Sequence, residues 1–188
     1  MAMTKLYLVR HAHSMYTPEE LTRPLSERGK RDASYVTERL KGEDIDVVCS
    51  SPYKRAVETV EGIAVHIGQK IKVVDEMRER TLSGSPVEDF EEAISLVWAD
   101  PGFSLEGGES NLTAQKRGVQ GIMNIVEEYN GKNVVIGTHG NIMVLIMNYF
   151  DESYDVEFWK GLEMPDIYCL TFENEYLRDV SRIWAQPV

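Results

Sequence analysis

In the stretch "LYLVRHAHSM", an apolar run stops at Arg10, His11 follows, and His13 stands two residues further on. The chain of 188 residues has four histidines, so half of them lie here. Such a pair can ligate a metal, can be a nucleophile with a polar neighbour, or can simply mark the end of a strand. Further residues bear on the choice. "SSPYKRAVET" carries Ser50, Ser51 and Arg55; "MRER" carries Arg78 and Glu79; "GTHGN" carries His139, Gly140 and Asn141. Imidazoles, guanidinium forks and one carboxylate suit phosphoryl transfer. Arginine binds phosphate oxygens in bidentate geometry. A neutral imidazole nitrogen can attack phosphorus, and a second imidazole can hydrogen-bond the oxygens where charge gathers. A carboxylic acid can protonate the leaving alkoxide.

These residues can cooperate only if the fold brings them together. "KLYLVR" (5–10), "IDVVCS" (45–50), "IKVV" (71–74) and "NVVIGT" (133–138) read as strands. Apolar residues at Ala33, Val36 and Leu40, then at Val57, Val60, Ile63, Ala64 and Ile67, recur at helical spacing between them. Ser51-Pro52 predicts the start of the second helix, with Ser51 as N-cap. Ser85-Pro86-Val87-Glu88 predicts a capping box and a helix to about Ala99. Ser110 predicts the cap of a helix to about Tyr129, and a further helix runs from about Asn141 to Tyr149. "DIYCLTFE" and "YLRDVSRIW" flank Asn174 and read as a closing antiparallel hairpin. Strand and helix in alternation imply an α/β fold with a mostly parallel sheet covered on both faces. Ligands of such sheets bind beyond the carboxyl ends of the strands. Arg10 and His11 follow the first strand, Ser50, Ser51 and, one helical turn on, Arg55 the second, Arg78 and Glu79 the third, and Thr138, His139, Gly140 and Asn141 the fourth, so one edge of the sheet is expected to collect two histidines, two or three arginines and one carboxylate. The helix beginning near Asn141 is expected to aim its N-terminal N–H groups at the same anion.

The whole chain, 1–188, reads as a single domain, with residues 81–110 as a small insertion beside the site. Twenty Lys and Arg stand against 31 Asp and Glu, a formal charge of −11. A field of that sign predicts no nucleic-acid partner and no anionic membrane surface. It also means that a site for an anionic substrate must gather its cations locally. Cys49 and Cys169 lie in apolar runs and read as buried free thiols rather than a disulfide framework or a zinc site. "MAMTKLYLV" is shorter than the apolar region of a signal peptide, and "IMVLIM" is too short to span a bilayer. The expectation is a cytoplasmic protein.

"LVRHAHS", "SSPYKRAVET", "MRER", "GGES" and "GTHGN", in this order and over nearly the whole chain, resemble the histidine phosphatase superfamily, the phosphoglycerate-mutase-like family. The resemblance implies a three-layer α/β/α sandwich. It implies that His11 is the phosphorylated nucleophile and that Arg10, Arg55 and His139 form the phosphate pocket. Glu79 would be the proton donor and acceptor, and Gly140 and Asn141 would touch substrate. No metal and no cofactor are implied, and the partner is a small phosphorylated substrate. Ala12 stands where the family has Gly, and Thr17 where it has Asn, so a phosphate contact there would come from the Thr17 hydroxyl. The Trp-Glu-Gly that comes after the family's glutamate is absent. The glycolytic mutases of this type carry an Arg-rich insertion that grips a carboxylate and shields the phosphoenzyme; residues 81–110 contain no Arg or Lys. Water should therefore reach phospho-His11, and hydrolysis is favoured over phosphotransfer.

Other readings stand beside this one. His13 suggests a metal pair, but only His66 and His139 remain as further histidine ligands, and His66 falls on a helix. A non-catalytic protein that keeps the phosphate pocket is a third reading. Arg23, in "LTRPLSERG", either reaches the pocket mouth or holds its loop. The closing hairpin offers a free edge or the contact of a homodimer.

Overall fold

The computed structural model describes residues 2–187. Its elements, in chain order, are β1 (Met3–Arg10), α1 (Glu27–Leu40), β2 (Val47–Ser50), α2 (Lys54–Ile67), β3 (Lys72–Val73), α3 (Phe90–Ala99), α4 (Asn111–Glu128), β4 (Asn133–Thr138), α5 (Gly140–Phe150), α6 (Val156–Lys160), β5 (Asp166–Glu173) and β6 (Tyr176–Arg182). One six-stranded sheet runs in the order β3-β2-β4-β1-β5-β6. The first four of these strands are parallel, and β5 and β6 are antiparallel additions. The predicted α/β/α sandwich with its C-terminal hairpin is the architecture found.

The period of two in β1 explains the layers. Leu6 and Leu8 face one side, where they meet Ile122, Ile125, Ile142 and Ile146 of α4 and α5. Tyr7 and Val9 face the other side, with Val36 and Leu40 of α1 and Val60 and Ile63 of α2. Both faces are buried, so β1 reads as a continuous apolar run. Each fully buried aliphatic side chain contributes about 1.5–3 kcal/mol, and these two layers fix the sheet between its helices. Cys49 and Cys169 are buried free thiols.

Local signals explain the ends of the elements. Ser26 accepts from Gly29 N to cap α1, and Ser110 accepts from Thr113 N to cap α4. Such caps contribute about 1 kcal/mol each. Gly68, at φ 70°, closes α2, a left-handed conformation that costs glycine nothing. Two predicted starts shift. The second helix begins at Lys54, not at Pro52. Ser51 N still bonds Gly137 O across the sheet, and its hydroxyl turns inward to His139. α3 begins at Phe90, capped by Asp89 through Glu92 N, and Ser85–Val87 line the cleft instead of forming its first turn. β3 shrinks to Lys72–Val73, and the short α6 has no sequence signal strong enough to place it.

Register determines what meets at the carboxyl edge. Arg10 lies opposite Thr138 on one side and Asp166 on the other, and Ser50 lies opposite Gly137. The residues just after β1, β2 and β4 therefore emerge side by side.

Candidate active site

His11 is buried just beyond the end of β1, with 8% of its surface exposed. Its Nδ1 lies 2.7 Å from the carbonyl oxygen of Ala12. A carbonyl only accepts, so Nδ1 carries the hydrogen and Nε2 presents a lone pair. Arg55 Nε approaches that Nε2 at 3.4 Å. Burial, followed by the charges of Arg55, Arg10 and Arg23, pushes the imidazole from its ordinary 6.5 down to about 3, against the opposing pull of the Ala12 carbonyl. The ring is thus neutral at any physiological pH, the form a nucleophile needs. Thr59 steadies the backbone here: its hydroxyl oxygen accepts from Ala12 N at 3.0 Å and donates to Arg55 O at 2.7 Å.

His139 lies next to His11, with ring centroids 5.2 Å apart and an angle of 64° between the planes. It is wholly buried. Burial, then His11 and the arginines, hold its pKa well below the ordinary value. Its Nε2 pairs with Ser51 Oγ at 2.8 Å, while Nδ1 is buried without a protein partner among the described residues. Arg10 donates to the carbonyls of Leu162 and Glu163, at 3.4 and 3.2 Å. Its guanidinium lies flat against Gly140: a Cβ there would stand 2.9 Å from Nε and 3.0 Å from Cζ. The glycine after His139 is the space that Arg10 occupies.

Arg55 is buried and its fork is fully engaged. Nη1 donates to Glu20 O at 2.9 Å and Nη2 to Glu20 Oε2 at 2.7 Å. Glu20 Oε1 also accepts from Arg23 at 3.0 Å. Arg23 lines the cleft and also holds its loop by donating to Thr17 O at 3.0 Å. The Thr17 hydroxyl donates instead to Glu19 O at 3.1 Å and does not line the cleft.

Glu79 reaches the site from the turn after β3. Its Oε2 accepts from Asn141 N at 3.0 Å, and its Oε1 accepts from Ile142 N and Arg80 N, both at 2.8 Å. This corrects the expectation for α5: its first N–H groups are satisfied by a protein carboxylate, which suits a helix N-terminus as well as a phosphate does. Asn141 also accepts from Trp98 Nε1 at 3.3 Å, which ties α3 to the site. Arg117 fixes the segment that carries Glu79 by donating to Glu76 O, Arg78 O and both oxygens of Glu109.

A cleft of about 600 Å³ is lined by Arg23, Arg55, Glu79, Arg80 and Asn141 among its polar residues and by Phe90 among its apolar ones, whereas Arg10, His11, His139 and Gly140 lie behind Arg55 and Glu79 and are not part of its lining. His13 is not part of it. Its Nδ1 meets Ser26 Oγ at 2.7 Å, and its carbonyl accepts from Ser26 N at 3.0 Å, so it belongs to the start of α1. Among the described residues, no group of three or more His, Cys, Asp or Glu is placed to hold a metal ion. No described helix is long and apolar enough to cross a membrane. Sequence reasoning missed Glu20, Thr59 and the role of Ser51. Nothing in "TPEEL" distinguishes Glu20 from Glu19, and Ser51 reads equally well as a helix cap.

The sequence matches the profile of the histidine phosphatase superfamily (branch 1) over residues 6–179. It is 33% identical over 152 residues to phosphoserine phosphatase 1 of Hydrogenobacter thermophilus, covering 73% of this chain and 71% of that protein. It is 28% identical over 143 residues to a Bacillus subtilis protein named uncharacterized phosphatase PhoE, covering 73% and 72%. The fold is shared with Bacillus stearothermophilus YhfR, at a TM-score of 0.77, 22% identity and coverage of 93% and 94%. It is also shared with mycobacterial glucosyl-3-phosphoglycerate phosphatase, at 0.76, 20% and coverage of 96% and 97%.

Proposed function

The chain belongs to the histidine phosphatase superfamily, and on that premise we propose that it hydrolyses small phosphomonoesters without a metal, through a phosphohistidine on His11. The observation that carries the assignment of His11 is its neutral ring, with Nδ1–H held by the Ala12 carbonyl and the Nε2 lone pair accepting only a long 3.4 Å hydrogen bond from Arg55 Nε. Nε2 attacks phosphorus, the P–N bond forms and the ester P–O bond breaks. Arg10, Arg55 and His139 surround the oxygens on which charge builds. Arg23 guards the mouth. Glu79 gives its proton to the leaving alkoxide; Oε2, which holds a single N–H, has the lone pair for that proton. The ionised Glu79 then takes a proton from water, the hydroxide attacks the phosphohistidine, P–N breaks, and phosphate leaves.

Hydrolysis is preferred to phosphotransfer because residues 81–110, whose first part walls the cleft, hold no Lys or Arg. No clamp of cations is there to seal the intermediate from water. Residues 1–188 form one domain in this reading, with 81–110 as the insertion beside the site, and the setting is the cytoplasm. Relatives named for phosphoserine and for glucosyl-3-phosphoglycerate support a small phosphorylated metabolite as substrate. The experiment is turnover of p-nitrophenyl phosphate in chelator. His11→Ala should lower kcat by about a thousandfold or more; activity at the wild-type level would sink the assignment.

A further inference from the structure

Asp166 is a buried carboxylate across the sheet from Arg10. It begins β5, only 1% of it is exposed, and it lies opposite Arg10 in the antiparallel register. A carboxylate is buried at a cost unless it is paired and hydrogen-bonded. Here four N–H donors meet it. Oδ1 accepts from Ile167 N at 2.9 Å and from Arg182 Nε at 3.0 Å. Oδ2 accepts from Glu163 N at 2.9 Å and from Arg182 Nη2 at 3.3 Å. Arg182, whose side chain is 39% exposed, also reaches Glu163 Oε2 at 3.3 Å. Asp166 and Arg182 together tie down the turn over residues 162–166.

The same turn holds Arg10. Glu163 is gripped at its N–H by Asp166 and accepts from Arg10 with its carbonyl oxygen, beside that of Leu162. Gly140 leaves the space in which the guanidinium lies, but space alone does not choose a rotamer. The two carbonyls supply the direction. Burial works against the charge of Arg10, and Glu79 and then Asp166 work for it. We propose that Asp166 is a positioning residue of the phosphate pocket: with Arg182 it fixes the turn whose carbonyls aim Arg10. The inference rests on the phosphohydrolase reading, which sets Arg10 against the phosphoryl oxygens. Asp166→Asn is the informative substitution. Both carboxylate oxygens face donors, so whichever way the amide lies, its NH2 group meets another N–H and the turn must shift.

The test is a double-mutant cycle with Arg10, read in the binding of inorganic phosphate by calorimetry and in kcat/KM for p-nitrophenyl phosphate. Asp166→Asn should weaken phosphate binding and lower kcat/KM by about tenfold, the value of a hydrogen-bonded charge. Arg10→Ala should lose at least as much. Adding Asp166→Asn to Arg10→Ala should then cost less than about twofold more, because a residue that acts through Arg10 has nothing left to position. Arg182→Gln, at the more exposed end of the same network, should weaken binding by about two- to threefold, and again only while Arg10 is present. A carboxylate that merely supports the fold gives losses that add, with the full tenfold from Asp166→Asn retained in Arg10→Ala. That result, or phosphate binding unchanged in Asp166→Asn and Arg182→Gln, would overturn the proposal. If Asp166→Asn does not fold, the cycle of Arg182→Gln with Arg10→Ala decides in the same way. Phosphate binding needs no turnover, so a wild-type protein that binds phosphate but hydrolyses no ester fails the hydrolase reading while the cycle with Arg10 is still read.

Discussion

Glu20 occupies the fork of Arg55 with both its carboxylate and its backbone carbonyl. A phosphate oxygen seeking the same N–H groups must displace that carboxylate, which is half exposed and so only moderately held. An ion pair with one exposed partner is worth about 0.2–1 kcal/mol. Glu20→Gln should therefore strengthen inhibition by inorganic phosphate or vanadate by about two- to fivefold. Unchanged or weaker inhibition would mean that Glu20 positions Arg55 rather than competing with phosphate. The residue scale is also where sequence reasoning is weakest. His13 invites a metal in the sequence and anchors Ser26 in the fold. Thr17 keeps the position of a phosphate contact, but its hydroxyl bonds Glu19 O. Each outcome depends on which way a loop side chain turns, and spacing along the chain does not record that.

At the scale of elements, α5 performs two tasks. Its N-terminus is capped by Glu79, and its first residue, Gly140, leaves the space in which the Arg10 guanidinium lies. A methyl group at position 140 would meet the far end of a flexible side chain, which can move at little cost to stability. Alanine is also the better helix former. Gly140→Ala should thus keep its helix content and Tm within about 2 °C of the wild type, yet lower kcat/KM by about tenfold or more as Arg10 is displaced. Circular dichroism and steady-state kinetics on the same preparation check both halves; undiminished kcat/KM would remove Arg10 from the phosphate pocket. The strands that deliver these residues were legible because period-two burial on both faces leaves continuous apolar runs. The starts of α2 and α3 were not, because a Ser-Pro pair reads as a helix start whether or not its hydroxyl caps one: Ser51 turns to His139, and Asp89 rather than Ser85 caps α3.

At the scale of the whole molecule, a chain with a formal charge of −11 concentrates Arg10, Arg23 and Arg55 around two buried imidazoles. Those imidazoles are neutral because burial and the arginines keep them so, and this has a cost in acid. The unfolded chain binds a proton on His11 as pH falls through about 6.5, whereas the folded chain binds it only near 3. The stability linked to His11 is therefore complete above about pH 6.5 and is lost progressively as pH falls towards 3, to a limit of about 5 kcal/mol. His139 acts in the same direction. Urea midpoints followed by tryptophan fluorescence should fall between pH 7 and pH 4, and less steeply in His11→Asn. Equal slopes in the two proteins would show that His11 is not held neutral by the fold.

The sequence by itself determined the layers and the edge where the chemistry gathers. Apolar runs alternating with amphipathic helices admit few arrangements, and the residues at the carboxyl ends of parallel strands must share one edge. That reasoning reached Arg10, His11, Arg55, Glu79 and His139. Only the tertiary structure decided how these groups are spent. It set the Arg55 fork on Glu20, the N-terminus of α5 on Glu79, and Ser51 on His139. The physical reason is that hydrogen bonds and ion pairs depend on separations of about 3 Å and on direction. Those are fixed by packing between residues dozens of positions apart, whereas hydrophobic periodicity is written locally along the chain.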